Sequence, residues 1–321
     1  SPLDGLQLNA ALKVSKADLR PLRPLRPVAQ SEQAEPLPLT LKSRVTMANH
    51  AIAFNDISAH LGGSTVRGKV ALDGGKISGA LVADTLDGAP LIAAAIGMPS
   101  AARKNDAAWG WSSEPFSGGL FGDRTGEIAL KARQVAMLPN LTALEFQGTL
   151  RVTPQDVALD GITASVSGGH LTGALSFGSG QDGVKALAKL SLAGADAATL
   201  LPAAVRPPVS GTLDVSVDVE GAGLSPVALI GSLHGNGKIA LADAQLAGLD
   251  PRAFDAVTRA VDQGLPIDAA RIGDTVNKAL DSGSLPVKHV ESALAVTAGQ
   301  VRVGKTTVDA KDAALSFAGG L

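Results

Sequence analysis

The sequence predicts a mainly β protein whose antiparallel strands present one dry and one wet face. Three observations predict it. Apolar residues recur at every second position over many segments, glycine-rich signals separate those segments, and only short stretches carry helical spacing. Leu144, Phe146, Leu150 and Val152 fall on even positions with Gly148 between them, and Leu213, Val215, Val217 and Val219 fall on odd ones. Successive strand side chains point to opposite faces, so each segment has one apolar face. Antiparallel sheets with one solvated side give this pattern, whereas parallel sheets covered on both sides give continuous apolar runs.

Further strands are predicted over 64–72, 126–133, 170–177, 237–246, 290–296 and 301–309. Turns are expected at Asp73-Gly74-Gly75, Gly168-Gly169, Gly178-Ser179-Gly180 and Asp182-Gly183. Short helices interrupt the strands. Asp87 can cap a helix over 89–97 with Pro90 in its first turn, and Asp196 can cap one over 197–204. Ser225 followed by Pro226 opens another, because proline loses nothing at the first helical position. After Asp250-Pro251, the spacing of Phe254, Val257 and Val261 is that of a buried helix face. After Gly264-Leu265-Pro266, Ile272, Val276 and Leu280 line a second helix that stops near Gly283. Residues 250–283 therefore read as a helical hairpin laid on or capping the sheet.

Two stretches look like copies. Ile57–Leu72 and Ile162–Phe177 share a strand, a glycine pair and a second strand, and each precedes an Asp and a Leu/Ala-rich helix. Repeated strand units suggest a sheet that grows by addition. The chain divides into a first β unit over 1–125, a second over 126–249, and the helical hairpin with the last strands over 250–321, all in one continuous structure. It opens Ser1-Pro2-Leu3-Asp4 and closes on a strand-like pattern, so it reads as a piece of a longer protein.

Composition narrows the function. Hydrophobic residues make up 45% of the 321 and charged residues 18%, which excludes disorder by composition. A net charge of −2 argues against nucleic acid as a partner. With no cysteine there are no disulfides, thiol nucleophiles or Cys-ligated metals. Leu91–Ile96 is the longest strongly apolar run, far short of the roughly 20 residues a membrane-spanning helix needs. No Gly-x-Ser-x-Gly, Ser-x-x-Lys, His-Glu-x-x-His or Walker A motif is present. Gly235-Asn236-Gly237 lacks the third glycine of a dinucleotide fingerprint. No enzyme activity, metal or cofactor is therefore expected. His60 and His170 sit at matching repeat positions, where surface or turn roles compete with a metal site assembled by folding. Asp214, Asp218 and Glu220 fit a wet strand face.

Arg20, Arg23 and Arg26 each precede a proline in a Pro-every-third-residue run that favours polyproline II. This is a linker, or a docking ridge for an acidic partner or lipid head group. Trp109 and Trp111 would share a strand face, in the core or on a rim.

The segments Trp111–Phe116, Gly126-Glu127-Ile128, the Gly168-Gly169 hairpin and Gly211–Val215 resemble the C-terminal, periplasmic part of an AsmA-family protein. So do Ser225-Pro226, Leu233–Ile239 and Leu246–Phe254. The resemblance spans about 50–321, best at 211–256. It implies an elongated, curved, groove-like or taco-like β structure, similar to bridge-like lipid transfer proteins. It also implies a periplasmic location, an inner-membrane anchor outside this chain, and a role in outer-membrane lipid homeostasis. Lipid, phospholipid or another long-chain type, and other envelope proteins are then the expected partners. Leu144, Phe146, Leu150, Val152, Leu213, Val215, Val217 and Val219 become candidates for a lipid groove, while a closed core with a protein-interaction role stays open as the alternative.

Overall fold

A computed structural model describes residues 8–18, 38–48, 51–61, 64–99, 111–117, 122–138, 141–180, 183–200, 208–250, 252–263, 268–310 and 313–320. The strands are β1 (Leu8–Asp18), β2 (Pro38–Ala48), β3 (Ala51–Leu61), β4 (Ser64–Asp73) and β5 (Lys76–Asp87). They continue with β6 (Thr125–Leu138), β7 (Leu141–Val152), β8 (Asp156–Val166), β9 (Gly169–Gly180) and β10 (Gly183–Asp196). The last five are β11 (Val209–Gly223), β12 (His234–Ala247), β13 (Ser284–Thr297), β14 (Gln300–Ala310) and β15 (Ala313–Gly320). The helices are α1 (Gly88–Ile96), α2 (Ala197–Leu200), α3 (Pro226–Ser232), α4 (Ala253–Asp262) and α5 (Ala269–Ser282). The strands form one open sheet of 15 whose spatial order is the chain order.

Every neighbouring pair is antiparallel except β5 and β6, which run parallel with Lys76 opposite Thr125 and Asp87 opposite Ala136. The antiparallel expectation fails at that one step. β6 begins beside the start of β5, where the Thr125 N–H donates to the Gly75 carbonyl at 3.2 Å. Period-two alternation is identical for both directions, so it could not reveal this.

Tight turns join several strands. Gly74-Gly75 (φ 51° and 87°), Ser167-Gly168 (48° and 79°) and Ala298-Gly299 (53° and 72°) are two-residue connections with both φ values positive. Such turns match the twist of the strands they join. Gly178–Gly180, expected as a turn, instead extends β9, with Gly180 paired to Gly183. Within strands, Asp56, Glu145 and Asp243 have φ of 51°, 51° and 48°. The register shifts beside Asp56 and Glu145 mark bulges, which increase local twist.

The helix signals at Asp196, Ser225-Pro226 and Gly283 act where expected. The Asp196 Oδ1 accepts from the Ala198 N–H at 2.9 Å, opening α2, whose expected continuation lies outside the described residues. Ser225 caps α3, with Pro226 at its start. Asp268 caps α5 by accepting from the Ala270 N–H, and Gly283 ends it. The helices α4 and α5 pack chiefly on each other, at the end of the β12–β13 ladder where Ala247 pairs with Ser284. Of the two placements the sequence left open, laid on the sheet or capping it, the described residues match the cap.

The connection after α1 shows that the sheet is curved. Gly88 starts α1 beside Val135 and Ala136 of β6. Beyond the helix, the Gly97 carbonyl accepts from the Ser117 N–H and hydroxyl, both at 2.9 Å. The Phe116 N–H then donates to the Leu224 carbonyl at 3.0 Å, and the Val227 N–H donates to the Ser112 carbonyl at 3.1 Å. Along this path Gly88 and Leu224 are separated by at most about 30 Å. On a flat sheet, five strand spacings across and some eleven residues along would separate them by over 40 Å. The sheet therefore bends around the face that carries α1. Val135 touches Gly88 on that face, and α3 packs over Gly221 and Gly223, in phase with Leu213, Val215, Val217 and Val219.

Candidate functional site

The concave face is apolar across nearly the whole sheet. One transverse row passes through Ala10, Val45, Phe54, Val70, Gly79, Ile128 and Leu150 on β1 to β7. It continues through Leu159, Leu175, Ala188, Val219, Gly235, Val296 and Val301 on β8 to β14. Every member is apolar or glycine. A second row holds Leu171, Leu192, Val215 and Ile239, and a third holds Gly173, Leu190, Val217 and Gly237. An open cavity of about 590 Å³ over β9–β12 lies on the other face, walled by Thr172, Lys189, Ser191, Ser216, Asp218 and Lys238.

The face is closed in one part and half-open in another. Ala132, Val135, Ala143, Ile162, Ala164, Val166 and Leu171 are buried, and Leu200 of α2 packs against them. Leu213, Val215, Val217 and Val219 are each only half-buried, so β11 presents an aliphatic strip that the protein does not fully cover. Phe146 and Leu150 share the concave face and are half-buried, while Val152 is fully enclosed.

Leu144 lies elsewhere. Ala143 pairs with buried Val135 and Val166, Phe146 pairs with buried Ala132, and Glu145 between them has φ of 51°. The bulge inserts one residue, so Leu144 turns to the convex face opposite Gln134 and Ser165 and is 43% exposed. The even-position reading holds from Phe146 onward and fails at Leu144.

The convex face is charged and paired. Lys189 meets Asp218 at 2.9 Å, Lys185 meets Glu220 at 3.2 Å, Lys238 meets Glu291 at 3.1 Å and Arg151 meets Asp160 at 2.9 Å. Each pair joins neighbouring strands. The hydrogen bond and charge of Lys185 hold the Glu220 carboxyl below its ordinary range, with His234 adding less. Asp218 raises Lys189 and Asp160 raises Arg151 in the same way. These groups are exposed and screened by water, so the ladder mainly keeps this face wet.

Arg20, Arg23, Arg26 and Trp109 lie outside the described residues. Trp111 is 38% exposed, on the segment hydrogen-bonded to α3 and not in the core. His60 on β3 and His170 on β9 are six strands apart, so folding does not join them. Among the described residues no cluster of His, Asp and Glu is arranged to hold a metal, and no helix is long and apolar enough to cross a membrane.

Apart from Gly148, sequence reasoning missed the glycines as part of the face. Gly68, Gly79, Gly126, Gly173, Gly235 and Gly237 all occupy concave positions, where a methyl group would strike the neighbouring strand. Their phase with the aliphatic residues was the available signal. The contact of 111–117 with α3 had none, because it joins residues over a hundred positions apart.

No curated protein and no solved structure matches the chain. The model of the AsmA family matches residues 97–306, which begin just after α1 and end within β14. That match spans well over half of the sequence, and with the long open sheet and its single apolar face it shows that the chain belongs to the AsmA family.

Proposed function

We propose that this chain shields or conducts lipid acyl chains along the concave face of its sheet, without catalysing a reaction. It does so in the periplasm, as part of a protein tethered to the inner membrane, and serves outer-membrane lipid homeostasis. The cargo is phospholipid or another long-chain lipid. One observation carries the reading: the uninterrupted apolar row from Ala10 to Val301, flanked on β11 by a half-buried aliphatic strip. Each methylene moved from water onto such a surface gains about 0.8 kcal/mol. Ten methylenes supply roughly 8 kcal/mol before ordering costs, comparable with what holds a chain in a bilayer. Family membership supports an envelope, lipid-related role.

The test is native mass spectrometry of the purified chain, followed by denaturing extraction and lipid analysis. Near-stoichiometric long-chain lipid is expected. A clean unliganded mass, unchanged after incubation with phospholipid vesicles, refutes the reading.

The second reading is a protein-interaction module with a closed core. The cluster beneath α2 favours it, because there the concave face is already filled by the protein's own side chains. An unliganded mass together with capture of an envelope protein would move the weight to it.

A further inference from the structure

The chain crosses its own groove. The path from Gly88 on β6 through Gly97, Ser117 and Phe116 to Leu224 beyond β11 runs over the apolar face, obliquely to the strands. It divides that face in two, with β1–β5 on one side and β12–β15 on the other. Residues 111–117 form a strap of irregular backbone, held to α3 by the Phe116–Leu224 and Val227–Ser112 hydrogen bonds. Ser112, buried, steadies the strap by accepting from the Glu114 N–H at 3.1 Å. Among the described residues four hydrogen bonds fasten it, two to the Gly97 carbonyl and one each to Leu224 and Val227, whereas the strands beneath belong to a continuous ladder. An element held by few bonds opens before the ladder does.

Resting on the lipid reading above, we propose that this strap is a gate: an acyl chain held under it is exchanged only when residues 111–117 release α3. A fixed roof would bind lipid equally well but would not couple exchange to its own opening. The coupling follows from the crossing, since a chain lying along the transverse row must pass under the strap or displace it.

The chain lacks cysteine, so an engineered pair forms a single disulfide. The hydrogen bond from Phe116 to Leu224 sets their backbones about 5–6 Å apart, within disulfide reach. Reduced F116C/L224C protein is loaded with a palmitoyl phosphatidylglycerol carrying a fluorescent acyl chain. It is then oxidised or kept reduced, and mixed with acceptor vesicles of unlabelled phosphatidylglycerol. Release at least about tenfold slower from the oxidised form is expected, restored by reductant. Equal release from both forms overturns the gate and leaves the lipid reading standing. Reduced protein that never takes up the probe refutes the lipid reading and the gate with it. Hydrogen exchange on the unaltered protein gives a second test that needs no folded variant. The Phe116 and Val227 amides should exchange together, at least about tenfold faster than amides of β10 and β11. Protection equal to those strands overturns the proposal.

Discussion

Replacing Val217 by aspartate tests the concave face at its most informative point. Val217 is half-buried and pairs with Leu190 and Gly237 on the apolar face. Because water already reaches this side chain, its loss costs the fold only about 1 kcal/mol, half of a full valine transfer. A bound chain suffers more. If about three methylenes lie against Val217, removing that contact costs about 2.4 kcal/mol, or some fifty-fold in affinity, before the carboxylate's desolvation is added. The control is Ser216→Asp, one residue away on the convex face opposite Lys238, where a carboxylate meets a cation and remains in water. Lipid per protein, read by native mass spectrometry, should collapse for V217D and hold for S216D. Both proteins should melt within a few degrees of the parent. Full lipid retention by folded V217D, or equal loss by S216D, would refute the assignment of the two faces.

Other substitutions test the fold. Gly126 has φ of 148° and its Cα faces the Ile77 carbonyl, so Gly126→Ala should cost about 2–4 kcal/mol by thermal or urea unfolding. Ser225→Ala removes the α3 cap and should cost about 1 kcal/mol, with helix signal lost first at α3 by hydrogen exchange. Leu285→Ala empties a site that is 2% exposed and packed with Ala244 and Val287, and should cost about 2–5 kcal/mol. The Glu220 carboxyl lies below its ordinary value, so its contribution is complete above the unfolded carboxyl's pKa and is lost as pH falls through the lower folded one. Melting scans from about pH 5 downward should show a small, salt-sensitive decline that Glu220→Gln flattens.

The sequence made the local parts of this architecture legible. On β11, alternation alone assigned Leu213, Val215, Val217 and Val219 to one face, because no bulge interrupts them. On β7 the same logic misplaced Leu144, since a single left-handed residue, Glu145, reverses the phase and nothing in its side chain marks it. Ser225-Pro226 and Asp196 identified helix starts because capping is decided within a few residues. The parallel step at β5–β6 and the strap on α3 were invisible for the opposite reason. Both depend on where a connection travels, and no periodicity encodes that.

Because spatial order repeats chain order from β1 to β15, each strand rests only on its sequence neighbours. Such a sheet behaves as a nearly one-dimensional chain of nearest-neighbour couplings, like a stack of repeats. Its ends should fray without waiting for the middle, and removing a terminal hairpin should shorten the sheet by two spacings, about 10 Å, while the remaining ladder persists. The working length of the concave face is thus a count of strands. The strap that spans β6 to β11 opens before the ladder does, so it leaves this order of melting unchanged.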